Sequence, residues 1–280
     1  MRTPALPSVV FGLAALTLVS CGGSSPSGDD VAETPTTTTT QPAATTAPAV
    51  THDERPWGDD RPDPQQLFYV TERKMLDAPG VEAVAEIVGE NVIPMDVVSH
   101  LLLTDRNEAV LEFSGMMGNR DTDVRFVSNG DRMNLRPWRK KPRRHVPDFL
   151  RSGMIRAFLR LGAVHHVLVT QAHLPPDRIT GRMAQEVIPR EFTLGADEEI
   201  DGRNCWTISF DTVVQGRVSA SATLWIDQQS LLPVQRTQQT YFEQGDHQVF
   251  ERYATLDLAP RPTPGVFELP ALPPRPEETE

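Results

Sequence analysis

Between positions 187 and 258 the chain reads as successive strands, 187–194, 204–214, 217–227, 234–243 and 247–258, separated by only a few residues each. Parallel pairing needs a crossover of a dozen residues or more, so connections this short require an antiparallel meander. One strand carries the clearest pattern. Val218, Ala220, Ala222, Leu224 and Ile226 fall on every second position, the period of a half-buried strand. Asp227 is suited to turn the chain through its side chain, and Pro233 to open the strand that follows. Beyond Pro233 the residues Gln235, Arg236, Thr237, Gln238, Gln239 and Thr240 are polar, and this half of the hairpin reads as a wet outer face. What lies on the apolar face is then the question: filled core, a substrate with catalytic groups around it, or a cavity.

The earlier part of the chain is mixed. A helix is expected over 63–77, with Asp63 as cap and Pro64 at its first position. The segment 81–103 reads equally well as helix or strand. Ala109, Leu111, Phe113, Gly115 and Met117 share one strand face, and Val124 and Phe126 another. Asn129-Gly130 between them and Met133 is a hairpin signal. Asp148 is placed to cap a helix over 149–161, in which Leu150, Met154, Ala157, Phe158 and Leu161 share one side while Arg156 and Arg160 point away. Strands before and after inserted helices define an α+β layout. About 200 residues, 65–270, are the expected extent of one domain, with 271–280 a disordered tail.

The first twenty residues read as a leader. Arg2 precedes an apolar run over 9–19, long enough for a signal-peptide core and too short to span a bilayer. Leu18, Val19, Ser20 and Cys21 resemble the bacterial lipobox, which implies cleavage before Cys21 and lipidation of its thiol. From Cys21 to position 64 the chain is rich in Thr, Pro, Ala and Ser, a composition that cannot repay the entropy of ordering. It is expected to be a flexible tether, about 35 Å in root-mean-square reach. Only Cys205 then remains of the two cysteines, so no disulfide within the mature chain is expected. The 38 acidic against 27 basic residues, a formal charge of −11, argue against nucleic acid as partner.

Catalytic motifs such as G-x-S-x-G, H-E-x-x-H, a P-loop or G-x-G-x-x-G are absent from the sequence. His165, His166 and His173 cluster without completing a four-ligand set, and the acidic stretch 195–202 lacks the ligand spacing of a calcium loop. No cofactor or metal is called for, no catalytic residue is assigned, and a non-enzymatic monomer is expected. Cys205 has no neighbouring base to activate it and reads as structural. The sharpest charge anomaly is RPWRKKPRR, with six cations, Arg136, Arg139, Lys140, Lys141, Arg143 and Arg144, in nine residues. With Trp138 among them they are candidates for docking on anionic head groups, a solvated loop being the plainer alternative. The small residues Gly115, Ala220 and Ala222, with the adaptable Met116 and Met117, lean towards a hollow beside the apolar strand faces.

The C-terminal third resembles the lipoprotein-carrier superfamily of LolA-type carriers and LppX/LprG-type lipoproteins. The resemblance rests on GRNCWTISF at 202–210, on TLWID at 223–227 followed by Ser230 and Pro233, and on FELP at 267–270. It implies a curved antiparallel sheet, an incomplete barrel, with helices covering the concave face over an apolar pocket for acyl chains. Leu111, Phe113, Met117, Phe126, Phe158, Trp206, Ile208, Ala220, Ala222, Leu224 and Ile226 would wall that pocket, with the 149–161 helix as lid. The partners implied are membrane lipid or lipoprotein acyl chains, together with a candidate envelope protein. The location implied is a membrane of the cell envelope. That membrane is the outer one, facing the periplasm, if the cell has two, and the outer face of the cell membrane if it has one. Two rival readings remain: the same fold with a filled core serving as an interaction or sensor module, and an envelope hydrolase working through residues such as His165 or Asp211.

Overall fold

The structure, a computed structural model, describes residues 55–58, 60–136, 144–166, 187–214, 216–242 and 245–269. Cys21, most of the tether, Trp138, Arg139, Lys140, Lys141, Arg143, His173 and the 271–280 tail lie outside these. The chain opens with α1 (Pro64–Asp77), whose cap is Asp63: its carboxylate accepts from the Gln66 N–H at 2.8 Å. Next come β1 (Gly80–Asn91), β2 (Met95–Thr104), β3 (Glu108–Met117), β4 (Arg120–Asn129), β5 (Arg132–Arg136) and the two-residue β6 (Arg144–His145). The helix α2 (Leu150–Leu161) precedes β7 (Val187–Leu194), β8 (Glu198–Ile200), β9 (Arg203–Val214), β10 (Arg217–Asp227), β11 (Pro233–Phe242) and β12 (Gly245–Asp257). The ambiguous 81–103 segment is therefore two strands.

All twelve strands belong to one antiparallel sheet, in the order β6-β5-β4-β3-β2-β1-β12-β11-β10-β9-β7, with β8 alongside β9. Its ends, β6 and β7, do not pair, so the sheet is an open, incomplete barrel. The two meanders are joined at the centre by β1 and β12, paired from Glu82 with Asp257 to Asn91 with His247. One face is apolar along nearly its whole length. Val81, Ile87, Leu101, Leu111, Phe113, Phe126, Ile208, Leu224 and Ile226, each at most 4% exposed, form a continuous core with Leu67 and Phe68 of α1 and Leu150, Met154 and Phe158 of α2. On the other face a smaller cluster of Leu102, Val110 and Val127 is covered by Val266, Phe267 and Leu269, which strap the back of the first meander.

Turn chemistry fixes the hairpins. Asp227 accepts from the N–H groups of Gln229 and Ser230, both at 3.1 Å, and from the Ser230 hydroxyl at 2.6 Å. Asn129 does the same work between β4 and β5, accepting from Arg132 N–H at 2.9 Å beside Gly130 at φ 87°. The start of α2 departs from expectation. Asp148 does not cap it; Phe149 stands at the cap position without a side-chain bond. Asn107, in the turn after β2, accepts from the Arg151 N–H at 3.2 Å and donates to the Asp148 carbonyl at 3.1 Å. A cap borrowed from a distant turn fastens the helix to the sheet.

The N-terminal side is fastened as well. Trp57 stacks edge-on against Trp206 at 5.7 Å, Arg55 donates to the Gln228 carbonyl, and Arg61 pairs with Asp197 at 2.6 Å.

Candidate functional site

The pocket-wall candidates are brought onto one face. Leu111 and Phe113 stand on β3, Phe126 on β4, Trp206 and Ile208 on β9, and Ala220, Ala222, Leu224 and Ile226 on β10; all are buried. Phe158 reaches them from α2 and packs against Tyr253 at 5.0 Å. Met117, at the end of β3, is half-buried at the margin of the same cluster. In this conformation the helices and sheet fill the space between them with their own side chains.

Two of the small residues, Gly115 and Ala222, have other causes than a hollow. A Cβ on Gly115 would lie 2.2 Å from the Asp96 carbonyl oxygen, so glycine is needed there for backbone approach at φ +135°. Ala222 pairs with Phe210 on one side and Gln238 on the other. The Arg236 guanidinium, from β11, sits 5.5 Å from the Phe210 ring across β10. Ala222 thus makes room for a buried arginine.

That arginine corrects the reading of β11 as a wet outer strand. Arg236 is fully buried, and Gln238 is 7% exposed. Arg236 donates to the carbonyls of Leu159 and Arg160 at 2.8 and 3.1 Å, satisfying the open C-terminal end of α2. The Thr212 hydroxyl donates to the same Arg160 carbonyl at 3.0 Å. Glu251 on β12, opposite Arg236 in register, serves the other side of the break. Its carboxylate accepts from the N–H groups of Ala163 and Val164 at 2.9 and 2.7 Å and from the Tyr253 hydroxyl at 2.6 Å. Burial and the neighbouring Glu251 hold the Tyr253 phenol well above its usual pKa. The sheet therefore grips both the end of α2 and the start of the helical turn at 163–166 through one buried polar latch.

Gly162 is the break itself, at φ 84°, its N–H returning to the Phe158 carbonyl at 3.0 Å. A Cβ there would lie 2.4 Å from a Glu251 carboxylate oxygen. Gly162→Ala is accordingly expected to cost about 2–3 kcal/mol by adding backbone strain and displacing a buried acceptor, measured by urea denaturation.

Arg160 does not point to solvent as its helical position suggests. It grips Glu72 of α1 with two bonds, 2.7 and 2.8 Å, and donates to the Val187 carbonyl at 2.9 Å. Arg151 donates to the carbonyls of Met75, Leu76 and Ala78 at the end of α1. Arginines thus lock the two helices to each other and to the edge strand β7, the kind of bidentate and carbonyl-directed work for which a guanidinium is suited.

The remaining candidates separate. Asp211 faces the outer side of the sheet, accepting from the Ser221 hydroxyl at 2.5 Å, and His165 lies in the turn after α2, so the structure does not bring them together. Burial drives the imidazoles down, His165 to about 3 and His166 to about 4. Burial pushes the Cys205 thiol up to about 11, the nearby Asp227 adding to the shift, which leaves it unreactive at neutral pH. The acidic stretch is a hairpin tip, with Asp197 paired to Arg61 and Asp201 to Arg252. Of the basic segment, Arg136 closes β5 and Arg144 opens β6, at the free edge of the sheet. Arg236 and Glu251 were not among the sequence candidates.

The described residues thus form an open antiparallel sheet whose apolar face is covered by helices. Solved structures similar to this chain include the Mycobacterium tuberculosis lipoprotein LppX, 14% identical over 70% of this chain and 100% of that one, with a TM-score of 0.35. A LolA superfamily protein from Nitrosomonas europaea is 9% identical over 72% of this chain and 96% of that one, with a TM-score of 0.32. The MucA/MucB complex of Pseudomonas aeruginosa gives 10% identity over 73% of this chain, which spans 60% of that one, with a TM-score of 0.38. No family model matches the chain, and no curated protein matches it.

Proposed function

We propose that this chain is an envelope lipoprotein, anchored through Cys21, whose domain takes up acyl chains between the apolar sheet face and α2 for local transfer or sensing. The observation that carries the reading is the latch at Gly162. A continuous apolar surface is closed by a helix whose end is held by a few buried polar bonds at a glycine break. Such a cover has a defined place to let go. An acyl chain with about fourteen methylenes gains roughly 11 kcal/mol on burial at about 0.8 kcal/mol each. Breaking a buried charged network costs about 3–5 kcal/mol. Burial of the chain therefore exceeds the cost of opening the latch itself, and the chain takes over the apolar contacts that α2 makes with the sheet. No catalytic group is needed for it.

The basic residues between Arg136, which closes β5, and Arg144, which opens β6, would meet anionic head groups at about 1 kcal/mol per cation. Membrane lipid or lipoprotein acyl chains are the proposed cargo, at the envelope membrane to which the anchor directs the chain.

A second reading keeps the core closed and makes the domain an interaction module for an envelope protein. It is favoured by the near-complete burial of the wall residues in the present conformation.

Uptake decides between the two. The full chain carrying Cys21→Ser, which separates cargo from covalent anchor, is mixed with cis-parinaric acid and followed by fluorescence and native mass spectrometry. One fatty acid per chain is expected, with uptake at least tenfold faster in Glu251→Gln. A chain that stays empty, with Glu251→Gln empty too, would support the interaction module instead.

A further inference from the structure

We propose that the outer face of the sheet, away from the helices, carries a separate binding site for a neutral glycan chain. A groove of about 580 Å³, open to solvent, crosses β7, β9, β10, β11, β12 and β1 on that face. Its volume falls in the range of small-molecule sites, about 300–1,000 Å³.

The chemistry of the lining selects the ligand. The hydroxyls of Ser209, Ser221, Thr223 and Thr237 line it, and each hydroxyl offers one donor and two lone pairs. Ser209 and Thr223 hydrogen-bond each other at 2.9 Å, and Ser221 donates to Asp211, so these groups are held in place with bonding capacity to spare. The carboxamides of Gln239 and Gln248 and the carboxylates of Glu90, Glu191 and Asp211 belong to the polar part as well. Among the described residues that line the groove none is lysine or arginine, Arg190 standing outside it opposite Asp211 in register. That disfavours phosphate, anionic lipid and nucleic acid, and favours a partner that presents many neutral hydroxyls.

Beside the polar groups lies an apolar platform. Val88 and Phe250 are direct partners across β1 and β12, 42% and 39% exposed. A ring and a branched side chain on β12 and β1, with the hydroxyls of β9 and β10 and the carboxylates of Glu191 and Asp211 towards the other margin and Glu90 beside Val88, match the two characters of a pyranose: a C–H face and an equatorial belt of hydroxyls. Glu191 adds an independent sign. It stands at the register shift of β7 in a left-handed conformation, φ 54°, which a residue other than glycine adopts at a cost, and the bulge turns it into the groove.

Chitotetraose, cellotetraose and maltotetraose are titrated into the full chain and observed by saturation-transfer NMR. At least one is expected to bind, with saturation greatest at the sugar C–H protons. Affinity is expected to fall at least tenfold in Phe250→Ala and in Glu191→Gln, both solvent-facing changes whose thermal melts report that the fold is kept. Absence of binding by all three sugars, or binding that neither substitution weakens, overturns the proposal. Hexalysine binding more tightly than any of the sugars overturns it too, in favour of a basic partner. Because the groove and the acyl-chain face lie on opposite sides of the sheet, each result stands without the other.

Discussion

Glu251→Ala is expected to lower the unfolding free energy by about 3–5 kcal/mol, the cost of removing one member of a buried charged network. Three donors lose their acceptor at once: the Ala163 and Val164 N–H groups and the Tyr253 hydroxyl. Arg236 then remains fully buried without the opposing charge across the ladder. Glu251→Gln should recover part of the loss, because an amide oxygen can still accept from the backbone while its NH₂ cannot replace the second carboxylate oxygen. Replacing Arg236 and Glu251 together by Met should cost less than the sum of the single changes, since the two losses share one network. Urea denaturation of the four proteins measures this cycle. Single changes that add independently would mean that the two residues hold α2 and the 163–166 turn separately, and the single-latch account would fail.

This latch shows where the sequence was legible and where it was not. The strands after 187 announced themselves because all but β7 pair with a strand adjacent in the chain, and Asp227 and Asn129 carry their turn chemistry in their own side chains. The 81–103 segment did not. Ala83, Ala85 and Glu86 are competent in a helix, and β1 is a strand because it is paired on both sides, with adjacent β2 and with β12 about 170 positions away. Arg236 was read as solvent-facing because polar residues occupy both faces of β11, leaving no alternation to mark the buried side. Its partners, the carbonyls of Leu159 and Arg160, lie 77 and 76 positions earlier. Arg160 misled for the same reason: the helical wheel placed it opposite Phe158, and only the packing of α1 supplies Glu72. A positive-φ glycine after a predicted helix was the one local sign available, and it marks a helix end without saying what receives it.

Acid is expected to destabilise the fold well before its carboxylates are protonated. His165 and His166 follow directly on the two residues that Glu251 holds, and their folded-state pKa values, about 3 and about 4, lie below the ordinary 6.5. Between those values the unfolded chain binds protons that the folded chain refuses, so stability falls as pH falls through that window and is flat above about pH 7. Each histidine approaches about 1.4 kcal/mol per pH unit below its unfolded pKa, and the pair contributes about 3 kcal/mol between pH 6.5 and pH 5. His247, also lowered by burial, acts in the same direction. The groups facing this turn from the sheet are Glu251, Arg236 and Tyr253, whose raised phenol stays neutral throughout. The loss should begin locally: the protection of the Ala163 and Val164 amides, taken relative to their intrinsic exchange rates at each pH, is expected to fall at pH 5 before that of the β1–β12 ladder. Denaturation in urea at pH 7.5, 6 and 5 measures the global slope, and His166→Gln should remove about half of it. A stability equal at pH 7.5 and pH 5 would mean that both imidazoles accept protons freely, and that the turn beside the latch is open to water when the helix is closed.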